Sequence, residues 1–184
     1  MGKVILGMTM SLDGFVNDRN GAVHRLYPDL AALRETDLLR EAVQTTGAVV
    51  MGRRTYAMGD PDAYADTYEF QVPIFVLTHA APEKQPKENK ELTFTFVTDG
   101  IERALARARI AAGARNVMVV GGANVFQQCI RARLCDEIHI GIMPVLLGEG
   151  LRLFAQGSVE QRDLETLRVI ESAARIDTQF RVLK

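Results

Sequence analysis

The sequence predicts an α/β fold built on a mostly parallel sheet. Three observations carry this. Through the middle of the chain, short apolar runs that read as buried strands alternate with segments of helical periodicity. Two of those runs end in glycine where a helix-like segment begins. Towards the carboxyl end, polar and apolar residues alternate, the pattern of antiparallel strands that close a sheet.

Taken in order, residues 4–10 are mostly apolar and read as a buried first strand, broken by Ser11-Leu12-Asp13-Gly14. Residues 17–21 (NDRNG) form a loop, and a loop directly after a central strand is a common place for an active-site lid. Leu38, Leu39, Ala42 and Val43 repeat at helical spacing, with Asp37 as cap and Gly47 as stop. Residues 48–51 form a second strand. Residues 60–68 read as a loop. Residues 73–77 form a third strand, 80–91 an exposed connector, and 92–97 an alternating strand. A helix follows, with Asp99 and Glu102 as a capping box, Ile101, Leu105, Ala108 and Ala112 as its buried stripe, and Gly113 as stop. Residues 117–120 are a further strand and 123–132 a helix. Residues 137–143, 164–170 and 178–183 complete the sheet.

Composition narrows the function. A chain of 184 residues suits one domain, residues 1–184, with a sizeable core. A net charge of −1 gives no broad basic surface for nucleic acid or an anionic membrane. The amino end lacks a membrane span or signal-peptide pattern, so a cytoplasmic protein is expected. Cys129 and Cys135 read as small core or near-surface thiols, and His24, His79 and His139 are scattered, so no metal site is expected.

The chemistry concentrates at strand ends. Gly121 and Gly122 follow the strand at 117–120, leaving no Cβ over the turn where a flat, charged ligand would meet bare N–H groups and a helix end. A tight turn without a ligand is the alternative. A positive φ is expected at Gly122. Gly52-Arg53-Arg54-Thr55 is a second junction of this kind. Cations at a helix amino end oppose the macrodipole, so a bound phosphate explains the arginines better than solvation alone. Ser11 to Gly14, Gly52 to Thr55, Thr78-His79 and Gly121-Gly122 all fall at the carboxyl ends of predicted strands, where parallel sheets bind ligands.

These stretches resemble a known family. VVMGRRTY (49–56) resembles the cofactor-binding motif of dihydrofolate reductases, VVGGANVF (119–126) their second Gly-Gly motif, and PIFVLTH (73–79) the strand at the adenosine side of the cofactor. DEIHIGIMPVLLGEGLRLF (136–154) and MSLDGF (10–15) are closer to the reductase domain of the riboflavin-biosynthesis deaminase-reductase and its stand-alone relatives. The resemblance implies a dihydrofolate reductase-like three-layer α/β/α fold and an NADPH-dependent reductase acting on a small heterocyclic or sugar-bearing substrate. It implies that Gly52, Arg53, Arg54 and Thr55 hold the cofactor phosphates and that Thr78 and His79 flank the adenosine. Gly121, Gly122, Ala123, Asn124, Val125 and Phe126 would line the pyrophosphate and nicotinamide, and Thr9 and Val16 would face the nicotinamide. Asp29, in the run Pro28-Asp29-Leu30, resembles the pterin-binding acid, and Asp13 is a second candidate acid. Each also reads as an ordinary surface or turn residue.

Folate itself fits poorly. The chain has no tryptophan, and Phe70-Gln71-Val72 stands where folate enzymes place an arginine. No deaminase signature is present. A folate reductase and a non-enzymatic NADPH sensor stand as rival readings. Relatives commonly pair, so a homodimer is expected, with the apolar run 140–147 as interface material.

Overall fold

The computed structural model describes residues 2–28, 30–171 and 174–183. An eight-stranded sheet is built from β1 (Val4–Ser11), β3 (Thr46–Gly52), β4 (Ile74–Leu77), β5 (Phe94–Val97), β6 (Asn116–Val119), β7 (Glu137–Met143), β9 (Leu164–Glu171) and β10 (Ile176–Val182). Its spatial order is β5-β4-β3-β6-β1-β7-β10-β9. The first six are mutually parallel, and β10 and β9 add antiparallel at one side. A separate pair joins β2 (Phe15–Asn17) to β8 (Leu151–Arg152). The helices are α1 (Leu30–Arg34), α2 (Asp37–Thr45), α3 (Arg53–Tyr56), α4 (Tyr64–Thr67), α5 (Ile101–Ala112) and α6 (Ala123–Arg131).

The strand period of two divides the core. Leu6, Val50, Val119 and Ile138 face α5 and α6, meeting Leu105, Ala108, Phe126 and Cys129 in one cluster. Their neighbours Ile5, Val49 and Met118 face the other way, where Tyr56, Phe70 and Leu92 are buried and Leu39, Ala42 and Val43 of α2 pack. The result is the expected three-layer α/β/α arrangement. Cys129 and Cys135 are free and buried, and burial pushes both thiols well above their ordinary range.

Several local expectations change. Thr36, not Asp37, caps α2, its side chain accepting the Leu39 N–H. Gly100 with φ 99° caps α5, while Asp99 pairs with Arg107 at 3.0 Å instead of closing a capping box. Residues 60–68 are not a plain loop: they hold a 3-10 turn (Pro61–Ala63) and α4. Gly47 does not end a helix. It lies buried inside β3, where a Cβ would fall 2.7 Å from the Ala112 carbonyl oxygen and 2.8 Å from the Arg115 Cβ. Within the run 140–147, Ile140 and Met143 are buried in β7 between β1 and β10, while Leu146 in the following loop is exposed.

Among the described residues no helix is long and apolar enough to cross a membrane. The close fit at Gly47 gives a direct expectation. Gly47→Ala forces β3 away from the end of α5, costing about 1–3 kcal/mol as overpacked cores do. Urea unfolding with an unchanged slope and a lower midpoint checks it.

Candidate functional site

All six parallel strands deliver their carboxyl ends to one edge of the sheet. Along that edge stand, in order, the turn after β4 (Thr78, His79), the junction after β3 (Gly52, Arg53, Arg54, Thr55), the junction after β6 (Gly121, Gly122) and the turn after β1 (Asp13). At one strand spacing each, these cover roughly 14 Å.

The two glycine junctions are fastened to each other. The Gly52 N–H donates to the Gly121 carbonyl at 2.8 Å, one step beyond the ladder bond from Val120 N–H to the Val50 carbonyl. Gly121, not Gly122, carries the positive φ, at 118°, whereas Gly122 is extended with φ −80°. A Cβ on Gly121 would meet the Met8 Cε at 2.9 Å and the Thr55 hydroxyl at 3.3 Å. On Gly122 it would meet only the Thr55 hydroxyl, at an ordinary 3.6 Å. On Gly52 it would press on Val125 Cγ2 at 3.0 Å. Gly52 and Gly121 therefore let the two backbones approach each other.

Gly122 caps α6 without any side-chain bond, so the first-turn N–H groups of Ala123, Asn124 and Val125 have no partner inside the helix. The side chains of Ala123, Val125 and Phe126 are buried in the core, so this stretch offers a ligand its backbone. Asn124 is exposed and accepts from Gln128 Nε2 at 2.5 Å. Across the junction, Arg53 and Arg54 are both exposed, and among the described residues neither forms an ion pair. They sit on α3, a single turn whose dipole is small. Its position is set by Tyr56, buried against Phe94 and Phe96. The Tyr64 hydroxyl donates to the Tyr56 carbonyl at 3.2 Å. Thr78 spends its hydroxyl on its own turn, donating to the Ala80 carbonyl at 2.8 Å, while His79 is exposed beside it.

The turn after β1 is a clasp. Ser11 Oγ donates to Asp13 at 2.6 Å, and the N–H groups of Leu147 and Gly148 donate to the same carboxylate at 3.1 and 2.7 Å. Arg152 donates to the Asp13 carbonyl and stacks over Phe15 at 4.4 Å. The loop at 17–21, expected to be a lid, is tied to the same stretch: the Leu151 N–H donates to Asn17 Oδ1 at 3.0 Å and Arg19 pairs with Glu149 at 3.1 Å. Led by the Ser11 bond, the donors to Asp13 hold its carboxyl at about 2 against its ordinary 3.8. A carboxylate met by three donors anchors this turn. Asp29 lies outside the described residues.

Thr9 and Val16 part company. Val16 is buried in the α6-side core. Thr9, also buried, points to the α2 side, where it meets Asp177 and Arg175 around Gly141. Sequence reading missed that pair: no motif marks it, and only register across three strands brings it to Thr9. Among the described residues no group of His, Cys, Asp and Glu is placed to hold a metal. A cavity of about 640 Å³ lies at the opposite end of the sheet, lined by Ile130, Ile138, Phe154, Leu164 and Leu183, away from this edge.

Comparison with known proteins agrees with the fold. The RibD C-terminal domain family matches residues 2–177. YwjB of Bacillus subtilis (strain 168), an uncharacterised protein, is 26% identical over 152 residues, 83% of this chain and 82% of its own. Among solved structures, a diaminohydroxyphosphoribosylaminopyrimidine deaminase/5-amino-6-(5-phosphoribosylamino)uracil reductase from Thermotoga maritima superposes with a TM-score of 0.75 at 17% identity. It covers 99% of this chain, which spans 57% of that protein. A dihydrofolate reductase from Enterococcus faecalis, complexed with NADP(H), gives 0.64 at 16% identity over 100% and 98% of the two chains.

The Asp13 clasp predicts a particular acid response. Its carboxyl is depressed in the folded protein, so its stabilisation is complete above about pH 4 and fades as pH falls towards 2. Asp13→Asn removes that contribution. Thermal midpoints of wild type and variant should therefore differ at neutral pH and converge between pH about 4 and 2; a constant gap would contradict the anchor.

Proposed function

The chain belongs to the RibD C-terminal domain family, a reductase family, and from that premise we propose that it is an NADPH-dependent cytoplasmic reductase transferring a hydride to a small heterocyclic substrate of the uracil class. The observation that carries the reading is the fastened pair of glycine junctions, with two exposed arginines that pair with no carboxylate among the described residues on one side and an uncapped helix start on the other. That combination fits a ligand with two separate anionic portions. When bound, the nicotinamide supplies the hydride.

The chain's own residues bind and orient. Bare backbone at Gly121 and Gly122 admits the pyrophosphate, and the first-turn N–H groups of α6 donate to it. Arg53, with its planar fork, takes the 2′-phosphate that distinguishes NADPH from NADH, and Arg54 and His79 flank it. Thr55 stands over both glycines and fixes the cradle. Asp13 holds the neighbouring loop, which leaves Asp29 as the acid for proton supply. The missing tryptophan and arginine of the folate enzymes disfavour dihydrofolate as substrate. A sensor without turnover would bind NADPH yet oxidise none of it with any uracil or pterin offered.

We also propose a homodimer. β9 is an edge strand of the sheet, and Leu167 and Val169 stand exposed on it at 37% and 61%. The apolar cavity beside it opens at Phe154, Leu164 and Leu183, all partly exposed. An open apolar edge of this kind is normally covered. Light scattering should give twice the chain mass, and Val169→Glu should halve it; a monomer mass for the wild type overturns the pairing.

The cofactor assignment is tested by titrating NADPH and NADH into wild type and Arg53→Ala at fixed salt. One charge-assisted contact is worth about 1.5–3 kcal/mol, so NADPH should weaken about ten- to hundredfold while NADH stays nearly unchanged. Equal losses would show that Arg53 holds the shared pyrophosphate, and no loss that it is solvated.

A further inference from the structure

Beyond the cofactor edge, one ion pair is buried in the sheet. Arg175 and Asp177 form an ion pair at 3.0 Å with side chains 6% and 13% exposed. Removing such a pair from water is expensive, and apolar side chains would fill the space more cheaply. Its location is specific. Thr9 on β1 pairs with Gly141 on β7, and Gly141 pairs with Asp177 on β10, so the three form one row across the sheet. At Gly141 no side chain intervenes. The position its Cβ would take lies 3.0 Å from Asp177 Oδ1, 3.2 Å from Thr9 Oγ1 and 3.5 Å from the Arg175 guanidinium carbon. Ile176 pairs with Ile142, so the pair stands near the carboxyl end of β7, on the same edge as the glycine junctions.

The element that packs on this face of the sheet is α2. Helix α2 rests at one side on the core through Leu39, Ala42 and Val43, and at the other side Glu41 pairs with Arg168 of β9 at 3.0 Å. It thus bridges from the central strands to the edge strand, and none of its residues is fully buried. The same holds for α1, whose Leu30 is 43% exposed. The apolar side chains of α2 are only partly buried, so its hold on this face is light.

Building on the reductase reading, we propose that Asp177, Arg175 and Thr9 recognise the substrate ring through a neutral amide edge, an N–H adjacent to a C=O. Asp177 accepts from the ring N–H, Arg175 donates to the ring carbonyl, and the Thr9 hydroxyl serves either. A carboxylate beside a guanidinium offers one acceptor and one donor side by side, which is the complement of a cyclic amide. Charge argues the same way. A phosphate would meet Asp177 and an ammonium would meet Arg175, whereas a neutral amide satisfies both. Arg175 and Asp177 act as specificity-determining residues and leave the cofactor to the other strands.

The test uses NADPH-loaded protein titrated with 5-amino-6-(5-phosphoribosylamino)uracil and with its N3-methyl analogue, which lacks the ring N–H. Wild type should bind the parent about 10- to 100-fold more tightly than the analogue. Asp177→Asn should lose that preference by weakening parent binding, with NADPH affinity unchanged. Should Asp177→Asn fail to fold, Arg175→Lys keeps the charge without the fork and should weaken the parent about tenfold, again sparing NADPH. Equal parent affinity in wild type and variants overturns the proposal, as does a wild type indifferent to N3 methylation. Losses that appear equally in NADPH affinity overturn it too, because the pair would then be supporting the fold or the cofactor. A wild type that binds NADPH but neither uracil overturns the amide-edge proposal and leaves the reductase reading standing. A wild type that binds no NADPH overturns the reading on which it rests.

Discussion

One backbone hydrogen bond, from the Gly52 N–H to the Gly121 carbonyl, constrains the whole ligand edge. The strands β3 and β6 are neighbours, but a ladder alone would let their chains diverge where each turns into its helix. This bond carries the pairing one step past the ladder and holds the two turns together. It exists only because neither turn carries a side chain. The φ of 118° favours glycine at Gly121, and a Cβ on Gly52 would press on Val125 at 3.0 Å. Helix starts, arginines and the Thr55 hydroxyl are then placed by where those two turns meet.

Much of this was legible from sequence because it depends on local chemistry. Apolar runs of four to eight residues ending in glycine gave the strands and junctions. Helical spacing gave α2, α5 and α6, and alternation gave the antiparallel closure. What escaped was set by tertiary contact. Gly47 looks like a helix stop, yet it is glycine because the end of α5 lies 2.7 Å from where its side chain would be. Asp99 looks like a cap, yet Arg107 engages it and Gly100 takes the cap position. The positive φ was expected one residue late in Gly121-Gly122, since two adjacent glycines are equivalent until their neighbours choose between them.

The site divides along the same line. The proposed cofactor residues cluster within short motifs, where glycine junctions and family resemblance both mark them. Asp13 was legible as an acid after a strand, but its three donors, two of them more than 130 residues away, were not. Arg175 and Asp177 were invisible because the row Thr9–Gly141–Asp177 exists only after β1, β7 and β10 have paired. The family match and the superpositions bear on fold and reductase class and say nothing of that row.

The clasp around Asp13 has a consequence for anyone recombining this scaffold. The turn after β1 and the loop after β7 meet through one carboxylate, one guanidinium and the short β2–β8 ladder. They therefore behave as a single cassette drawn from two distant stretches of the gene. Grafting either stretch alone from a relative would bring donors without their acceptor, or the reverse, and leave polar groups stranded at the mouth of the site. Loop libraries should diversify both stretches as a matched set with Asp13 held fixed.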